Sequence, residues 1–377
     1  MVSEYELPRI IDIRQGLDHL DLKEEIVRGL KLQPPMLPEL LLWSDRGQNL
    51  FDTYSLGPSY YPFHSELEIL SKYGHEVERR MPANGAILEL GCGSTRKTQF
   101  ILAHFCKQQK PIQYFALDVS HQSLTESLTG LRKSLQDAPM VSITGLLGTY
   151  DDCVAWLAAC GANNMGSNGS SDLNGLRGGV DGGINGELLT SLTILWLGNS
   201  IANLETQAEA STFLSRFGAA CRDARLKCQF IVSADICRNK AKIREAYRTR
   251  RPEFRNWLLS SLEAANLALC HEAFVAADWA VADRLEGGEG SRGAMAMGIY
   301  VKPKRDLQVP LVPPGEIGNE GGEKTKAIAF RKGELVRVIR SGKWGEKCLM
   351  QVSESAGFSV QQCWRDSNGD YGEQSGR

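Results

Sequence analysis

Hydrophobic positions recur along this chain with two periods, and the period switches at glycine, proline or aspartate. Leu17, Leu20, Ile26 and Leu30, with charged residues between them, predict an amphipathic helix over 17–31 ahead of the main fold. A proline-rich turn follows at Pro34–Pro38, and helical spacing restarts at Ser65-Glu66-Leu67-Glu68-Ile69-Leu70 and runs to about Arg80. Ala86–Leu90 is a short apolar run that ends in Gly91-Cys92-Gly93, and Phe100, Ile101, Leu102 and Phe105 then repeat at helical spacing. A second strand, Ile112–Leu117, ends in Asp118. A helix over Ser120–Leu135 and a strand around Met140–Leu147 come next. Leu192–Leu197 runs into Gly198-Asn199-Ser200, and Gln229–Ser233 ends near Asp235. Strands alternating with helices predict an α/β fold, a Rossmann-like, doubly wound and mostly parallel sheet.

Residues 1–80 read as a helical segment, 81–240 as the Rossmann-like domain and 241–377 as a smaller α+β lobe. In that lobe, breaks at Glu286–Arg292 and Lys302–Lys324 flank the apolar segment Ala294–Val301. Between Gly161 and Gly186 the chain is dominated by Gly, Asn and Ser. It offers almost no apolar surface to offset the entropy of ordering, so a disordered insertion is expected there.

Composition narrows the function classes. A chain of 377 residues with 42% hydrophobic positions can bury a sizeable core. A formal net charge of -2 without a dense Lys/Arg stripe gives little attraction to nucleic acid or an anionic membrane, so neither is expected as a partner. The stretch Met1–Ile10 lacks the pattern of a signal peptide and no apolar run is long enough for a bilayer, which predicts a cytoplasmic protein. The 10 cysteines form no C-x-x-C pair and are expected as free thiols. The 6 histidines, among them His64, His75 and His121, show no metal spacing, so no metal is predicted.

The informative site is Glu89-Leu90-Gly91-Cys92-Gly93, where glycines at the carboxyl end of a strand let backbone approach a nucleotide. Three readings compete. A dinucleotide fingerprint needs a small residue at position 96, where Arg96 stands. A P-loop over Gly91–Thr98 fails at the same Arg96, because a bulky residue spoils the backbone nest for phosphate. The third is a methyltransferase, in which an acid at the end of the second strand holds both ribose hydroxyls, and Asp118 stands there. Either feature alone is an ordinary turn or a helix cap. Together, at this spacing, they point to the cofactor.

From about Leu40 to Tyr371 the chain resembles the histidine-specific, S-adenosylmethionine (SAM)-dependent methyltransferase family. That family includes the ergothioneine-pathway enzyme and the fungal 4-dimethylallyltryptophan N-methyltransferases. The shared pieces are Asp45-Arg46-Gly47 with Leu50-Phe51-Asp52, Tyr60-Tyr61-Pro62, Leu88–Thr98, and Leu197-Gly198-Asn199-Ser200-Ile201-Ala202-Asn203-Leu204. The resemblance implies SAM as cofactor, a small-molecule amino acid as substrate, and a substrate site in the 241–377 lobe completed by the 1–80 segment. It places Tyr60, Gly91, Gly93, Lys97 and Asp118 at the cofactor, with Lys97 pairing with its carboxylate. Asn203 and Tyr247 would hold the substrate's carboxylate and amine, Tyr60 would orient the amine, and Trp43 and Phe254 would line the pocket.

Two departures stand out. Where the family has G-D-F near the adenine, this chain has Gly148-Thr149-Tyr150, followed by Asp151 and Asp152. Where the histidine enzymes place a Glu against the imidazole, Ile339 stands, two residues before Ser341 in the substrate-reading segment Glu334–Trp344. An imidazole N–H facing Ile339 would lose a charge-assisted hydrogen bond. The expected reaction is therefore N-methylation of the α-amino group of a tryptophan-derived amino acid, such as 4-dimethylallyltryptophan, in secondary (alkaloid) metabolism. The alternatives are an ergothioneine-type histidine methyltransferase and a non-catalytic methyltransferase-like binding protein.

Overall fold

The computed structural model describes residues 7–14, 21–136, 138–163, 189–287, 295–313 and 327–377. Elements are numbered in chain order, and the chain divides into two compact units. The first comprises residues 1–16, 62–237 and 343–377.

An eight-stranded sheet forms the first unit, in the order β1-β4-β3-β2-β5-β6-β13-β12. Its strands are β1 (Arg9–Asp12), β2 (Gly85–Leu90), β3 (Ile112–Asp118), β4 (Val141–Leu147), β5 (Ser191–Trp196), β6 (Lys227–Asp235), β12 (Val360–Arg365) and β13 (Tyr371–Gly376). The first six named run parallel, and β13 closes antiparallel on β6 with β12 antiparallel beyond it. Around this sheet run α3 (Tyr61–Arg80), α4 (Thr98–Lys107), α5 (His121–Ser134), α6 (Tyr150–Asn163), α7 (Gln207–Asp223) and α10 (Glu346–Ser355).

Every residue of β2 is buried. Leu88 and Leu90 belong to a cluster with Trp156, Leu157, Leu214, Phe217 and Leu349, while Ile87 belongs to another with Leu70, Ile101, Phe105 and Leu124. Alternate side chains thus enter cores on opposite faces, which is why the strand reads as a continuous apolar run.

The second unit comprises residues 17–61 and 238–342. It contains α1 (Leu22–Leu30), α2 (Asp45–Ser55), α8 (Lys240–Ala246) and α9 (Pro252–Leu269), with α2 packed against α9. β7 (Trp279–Gly287), β8 (Met295–Pro303) and β11 (Val336–Lys343) form a three-stranded sheet in the order β11-β8-β7, and β9 (Leu307–Pro310) pairs antiparallel with β10 (Ala327–Phe330).

The mixed α/β class with a mainly parallel central sheet is as the sequence pattern indicated. The detail differs in five places. Residues 343–377, read with the C-terminal lobe, complete the large sheet, because β13 finds its hydrogen-bonding partner in the open edge of β6. Residues 62–80 belong to the same unit, and 17–61 group with 238–342. β9 lies inside the segment 302–324 that reads as a break. α1 starts after Asp21, whose carboxylate caps it, and residues 17–20 lie outside the described residues. α6 continues to Asn163, and the rest of the 161–186 insertion also lies outside them.

Candidate functional site

The chain leaves β2 toward β3 on one side and returns later to place β5 on the other. In such open sheets the ligand crevice forms at the carboxyl ends of the strands where the order reverses. The loops after β2, β3, β4 and β5 therefore matter most.

Gly91 and Gly93 take φ values of +67° and +50°, and Thr95 follows at +52°. Glycine adopts this left-handed backbone without penalty, whereas a β-branched Thr is rarely found there, a form of local strain that gathers at binding loops. The amides of Gly91 and Cys92 both donate to the carbonyl of Leu117, at 3.0 and 3.1 Å. A Cβ placed on Gly93 would meet nothing within 4 Å, so this backbone faces open space.

Asp118 ends β3 beside that loop. Its Oδ2 accepts from the Gly93 amide at 3.2 Å, and its Oδ1 accepts from the amides of Val119 at 2.8 Å and Ser120 at 3.3 Å. Ser120, not Asp118, caps α5. Thr149 and Asp152 form a capping box at the start of α6: the Asp152 amide donates to Thr149 Oγ1 at 3.2 Å, and the Thr149 amide donates to Asp152 Oδ2 at 2.8 Å. The Tyr150 hydroxyl lies 3.0 Å from the Cβ position of Gly91, and its ring packs edge-on against Trp196 and Phe213. The structure thus gathers Gly91, Gly93, Asp118 and Tyr150 around one loop cluster.

Lys97 enters the same cluster with a partner the sequence did not suggest. Its ammonium lies 2.5 Å from Glu66 Oε2 and 3.3 Å from the Cβ position of Gly198, whose φ is +78°. Asn199, at φ +63°, accepts the Asp235 amide on its Oδ1 at 2.7 Å and so ties the β5 loop to β6. Asn203 closes the 3-10 turn Ser200–Asn203 on that loop and is half-buried. A cleft of about 680 Å³ lined by His75, Glu78, His104 and Lys110 opens instead beside Ala83 and Pro111, which precede β2 and β3, and takes no part in this cluster.

In the second unit, Trp43, Tyr60, Tyr247 and Phe254 come together with three further aromatic residues not assigned a site role from the sequence, Phe51, Tyr54 and Trp257. Ring centroids are 5.7 Å apart for Tyr60 and Tyr247, 4.9 Å for Tyr54 and Phe254, and 5.8 Å for Trp43 and Trp257. Phe254 is fully buried within this cluster, while Trp43 is half-buried. Tyr54 donates to the carbonyl of Ala246, and burial drives its phenol well above the ordinary range. The Tyr247 and Ser341 hydroxyls lie 3.0 Å apart. Ile339 and Ser341, two apart on β11, share a face of that strand and are both buried.

Comparison with known proteins gives a consistent answer. A family model described as "Histidine-specific methyltransferase, SAM-dependent" matches residues 22–375. "N-methyltransferase benX" of Aspergillus terreus is 38% identical over 376 residues, covering 98% of this chain and 93% of that protein. "4-dimethylallyltryptophan N-methyltransferase easF" of Epichloe festucae var. lolii is 25% identical over 376 residues, covering 96% of each. "Ergothioneine biosynthesis protein 1" of Neurospora crassa is 29% identical over 350 residues, covering 92% of this chain and 35% of that protein. The chain belongs to the histidine-specific, SAM-dependent methyltransferase family and is a SAM-dependent N-methyltransferase.

Proposed function

We propose that this enzyme methylates the α-amino nitrogen of an amino acid with a largely apolar, indole-type side chain, such as 4-dimethylallyltryptophan, in secondary metabolism. The observation that carries the reading is Ile339, buried on the face of β11 that also holds Ser341, the hydrogen-bonding neighbour of Tyr247. An apolar residue at the position the resemblance gives to an imidazole-binding Glu favours an indole over a histidine ring. The aromatic residues around Tyr60 and Tyr247 supply further surface for such a ring. The family's description and the ergothioneine relative favour histidine as the second reading.

SAM brings an electrophilic methyl on a sulfonium. The residues present fit such a ligand: an open glycine backbone at Gly93, a carboxylate at Asp118 suited to a vicinal diol, and the ammonium of Lys97 for a carboxylate. In our reading Gly91, Gly93, Asp118, Lys97 and Tyr60 hold it, with Tyr150 and the Thr149 turn near the adenine. The second unit, residues 17–61 and 238–342, would form most of the substrate site. Tyr247 and Asn203 would fix the substrate's amine and carboxylate. Tyr60 would orient the amine's lone pair. Most of the rate gain would then come from alignment of a neutral amine, for which no dedicated acid is needed.

We also place the enzyme in the cytoplasm. None of the ten cysteines forms a disulfide, which suits a reducing compartment, and no helix among the described residues is long and apolar enough to cross a membrane.

The test is mass spectrometry of the purified enzyme with SAM and a mixture of histidine, tryptophan and a 4-prenylated tryptophan. A methyl gain on an indole amino acid with histidine untouched is the expected outcome. Methylated histidine alone would overturn the assignment of Ile339.

A further inference from the structure

Helix α3 carries its apolar stripe at Ile69, Leu70, Tyr73 and Val77, and the position that begins this stripe holds Glu66. Glu66 is 1% exposed. A carboxylate that deep must be met by donors, and three reach it from three segments of the sheet unit. Lys97 Nζ donates to Oε2 at 2.5 Å, the Gly198 amide donates to Oε1 at 2.7 Å, and the Ser233 hydroxyl donates to the same oxygen. Lys97 follows β2, Gly198 follows β5 and Ser233 lies on β6, so Glu66 clasps neighbouring strand ends beside the point where the strand order reverses.

A second carboxyl lies alongside. Glu373 on β13 is paired in register with Ser233, is also 1% exposed, and neither of its oxygens has a hydrogen-bond partner. Burial, followed by the charge of Glu66, drives Glu373 well above the usual carboxylate range. All three donors thus converge on Glu66, the partner of Lys97, while the unmet Glu373 favours its neutral form.

We propose that Glu66 is a positioning residue for the aminocarboxylate end of the cofactor. It holds the Lys97 ammonium over Gly198 with one of its three N–H bonds and leaves the others directed at an incoming carboxylate. Lys97 sits on a flexible stem, and its point charge is useful only where something fixes it. The inference rests on the reading of Lys97 as the partner of that carboxylate, and it assigns the residue that makes this possible. In Glu66→Gln the amide oxygen can keep Gly198 and Ser233, while the NH₂ faces the Lys97 ammonium, donor against donor. Lys97 then loses its anchor with little change elsewhere.

The experiment is calorimetric titration of the full-length protein with two probes, S-adenosylhomocysteine and 5′-methylthioadenosine, which lacks the aminocarboxylate. Glu66→Gln should weaken S-adenosylhomocysteine about tenfold and leave 5′-methylthioadenosine within about twofold. Lys97→Met should show the same selectivity, and Glu66→Gln should add little on top of it, since the two act as one unit. If Lys97→Met leaves both probes unchanged, the reading of Lys97 fails and the proposal with it. If Lys97→Met is selective and Glu66→Gln is not, only the role of Glu66 falls. Equal weakening of both probes by Glu66→Gln would mark a purely structural residue, and tighter S-adenosylhomocysteine binding would mark a competitor for Lys97; either overturns the proposal. Should Glu66→Gln fail to fold, Ser233→Ala removes one donor from Glu66 and should give a smaller loss confined to S-adenosylhomocysteine. No selective loss there would overturn the proposal too.

Discussion

Glu89 stands two residues before Gly91 and is 2% exposed, so the chain folds with a carboxyl group sealed beneath the glycine loop. Its Oε2 accepts hydrogen bonds from Thr98 Oγ1 at 2.6 Å and from the Tyr114 hydroxyl. Burial outweighs these donors and carries the carboxyl from 4.5 up to about 7. The folded protein thus holds this proton more tightly than the unfolded chain does. Below about 4.5 the group is protonated in both states and contributes nothing; stability falls as pH rises toward about 7, and the loss is complete above it. At about 1.4 kcal/mol per pH unit of difference, the loss between about pH 5 and 8.5 is on the order of 2–3 kcal/mol. Glu89→Gln removes the titration and keeps both donors, because its amide oxygen can take the place of Oε2. Thermal unfolding of both proteins followed by circular dichroism across this range should show the variant gaining on the parent by about 3–4 °C toward high pH, at about 1.3 °C per kcal/mol for a chain of 377 residues. Glu373, which burial also drives upward, is common to both proteins and drops out of the difference. Melting curves that stay parallel from pH 5 to 8.5 would refute the reasoning.

Three further perturbations test other parts of the site. Tyr247→Phe removes the hydroxyl contact to Ser341 and should raise the substrate KM roughly threefold to tenfold, the worth of one neutral hydrogen bond, with S-adenosylhomocysteine affinity in calorimetry unchanged. Gly91→Ala forces a side chain into φ +67° and sets its Cβ 3.0 Å from the Tyr150 hydroxyl. It should destabilise the protein by about 1–2 kcal/mol in denaturant titrations, with Tyr150→Phe restoring part of the loss by removing the contact but not the backbone strain. Ile339→Glu should move the preference in competitive turnover from an indole amino acid toward histidine, and an unchanged ratio would disconnect that position from specificity.

The sequence revealed the sheet where strands are covered on both sides and failed at its edges. β2 to β5 are almost wholly apolar because helices pack on both faces, and such runs are unmistakable. β13 is equally buried, yet its sequence is Tyr371-Gly-Glu-Gln-Ser-Gly. One apolar residue in six reads as a loop, and what recruits the segment is the backbone ladder it forms with β6. β1 is a four-residue edge strand with exposed ends and a half-buried middle, too short to show a period. The 241–377 boundary went astray for the same reason, since nothing local in β13 announces a partner more than a hundred residues away.

In the loop cluster, the residues that the sequence marks and the structure brings together are those with a spacing along the chain, such as Gly91, Gly93 and Asp118. The illegible ones act through space, yet they left a trace. Glu66 opens a helical stripe of Ile69, Leu70, Tyr73 and Val77, and Glu89 interrupts the strand Ile87, Leu88, Leu90. At both positions the pattern calls for an apolar side chain, and a buried acid there costs stability unless donors meet it. A site that must fix an ammonium or brace a strained loop can sustain that cost. A packing position gains nothing from it. The violation of the apolar pattern was itself the signal, and among the described residues Glu66 and Glu89 both show it beside the crevice. Glu66 and Glu89 differ in who answers them: an ammonium, a backbone amide and a hydroxyl for the first, two neutral hydroxyls alone for the second. That difference is why the charge of Glu66 is tied to ligand binding in the inference above, and the protonation of Glu89 to stability.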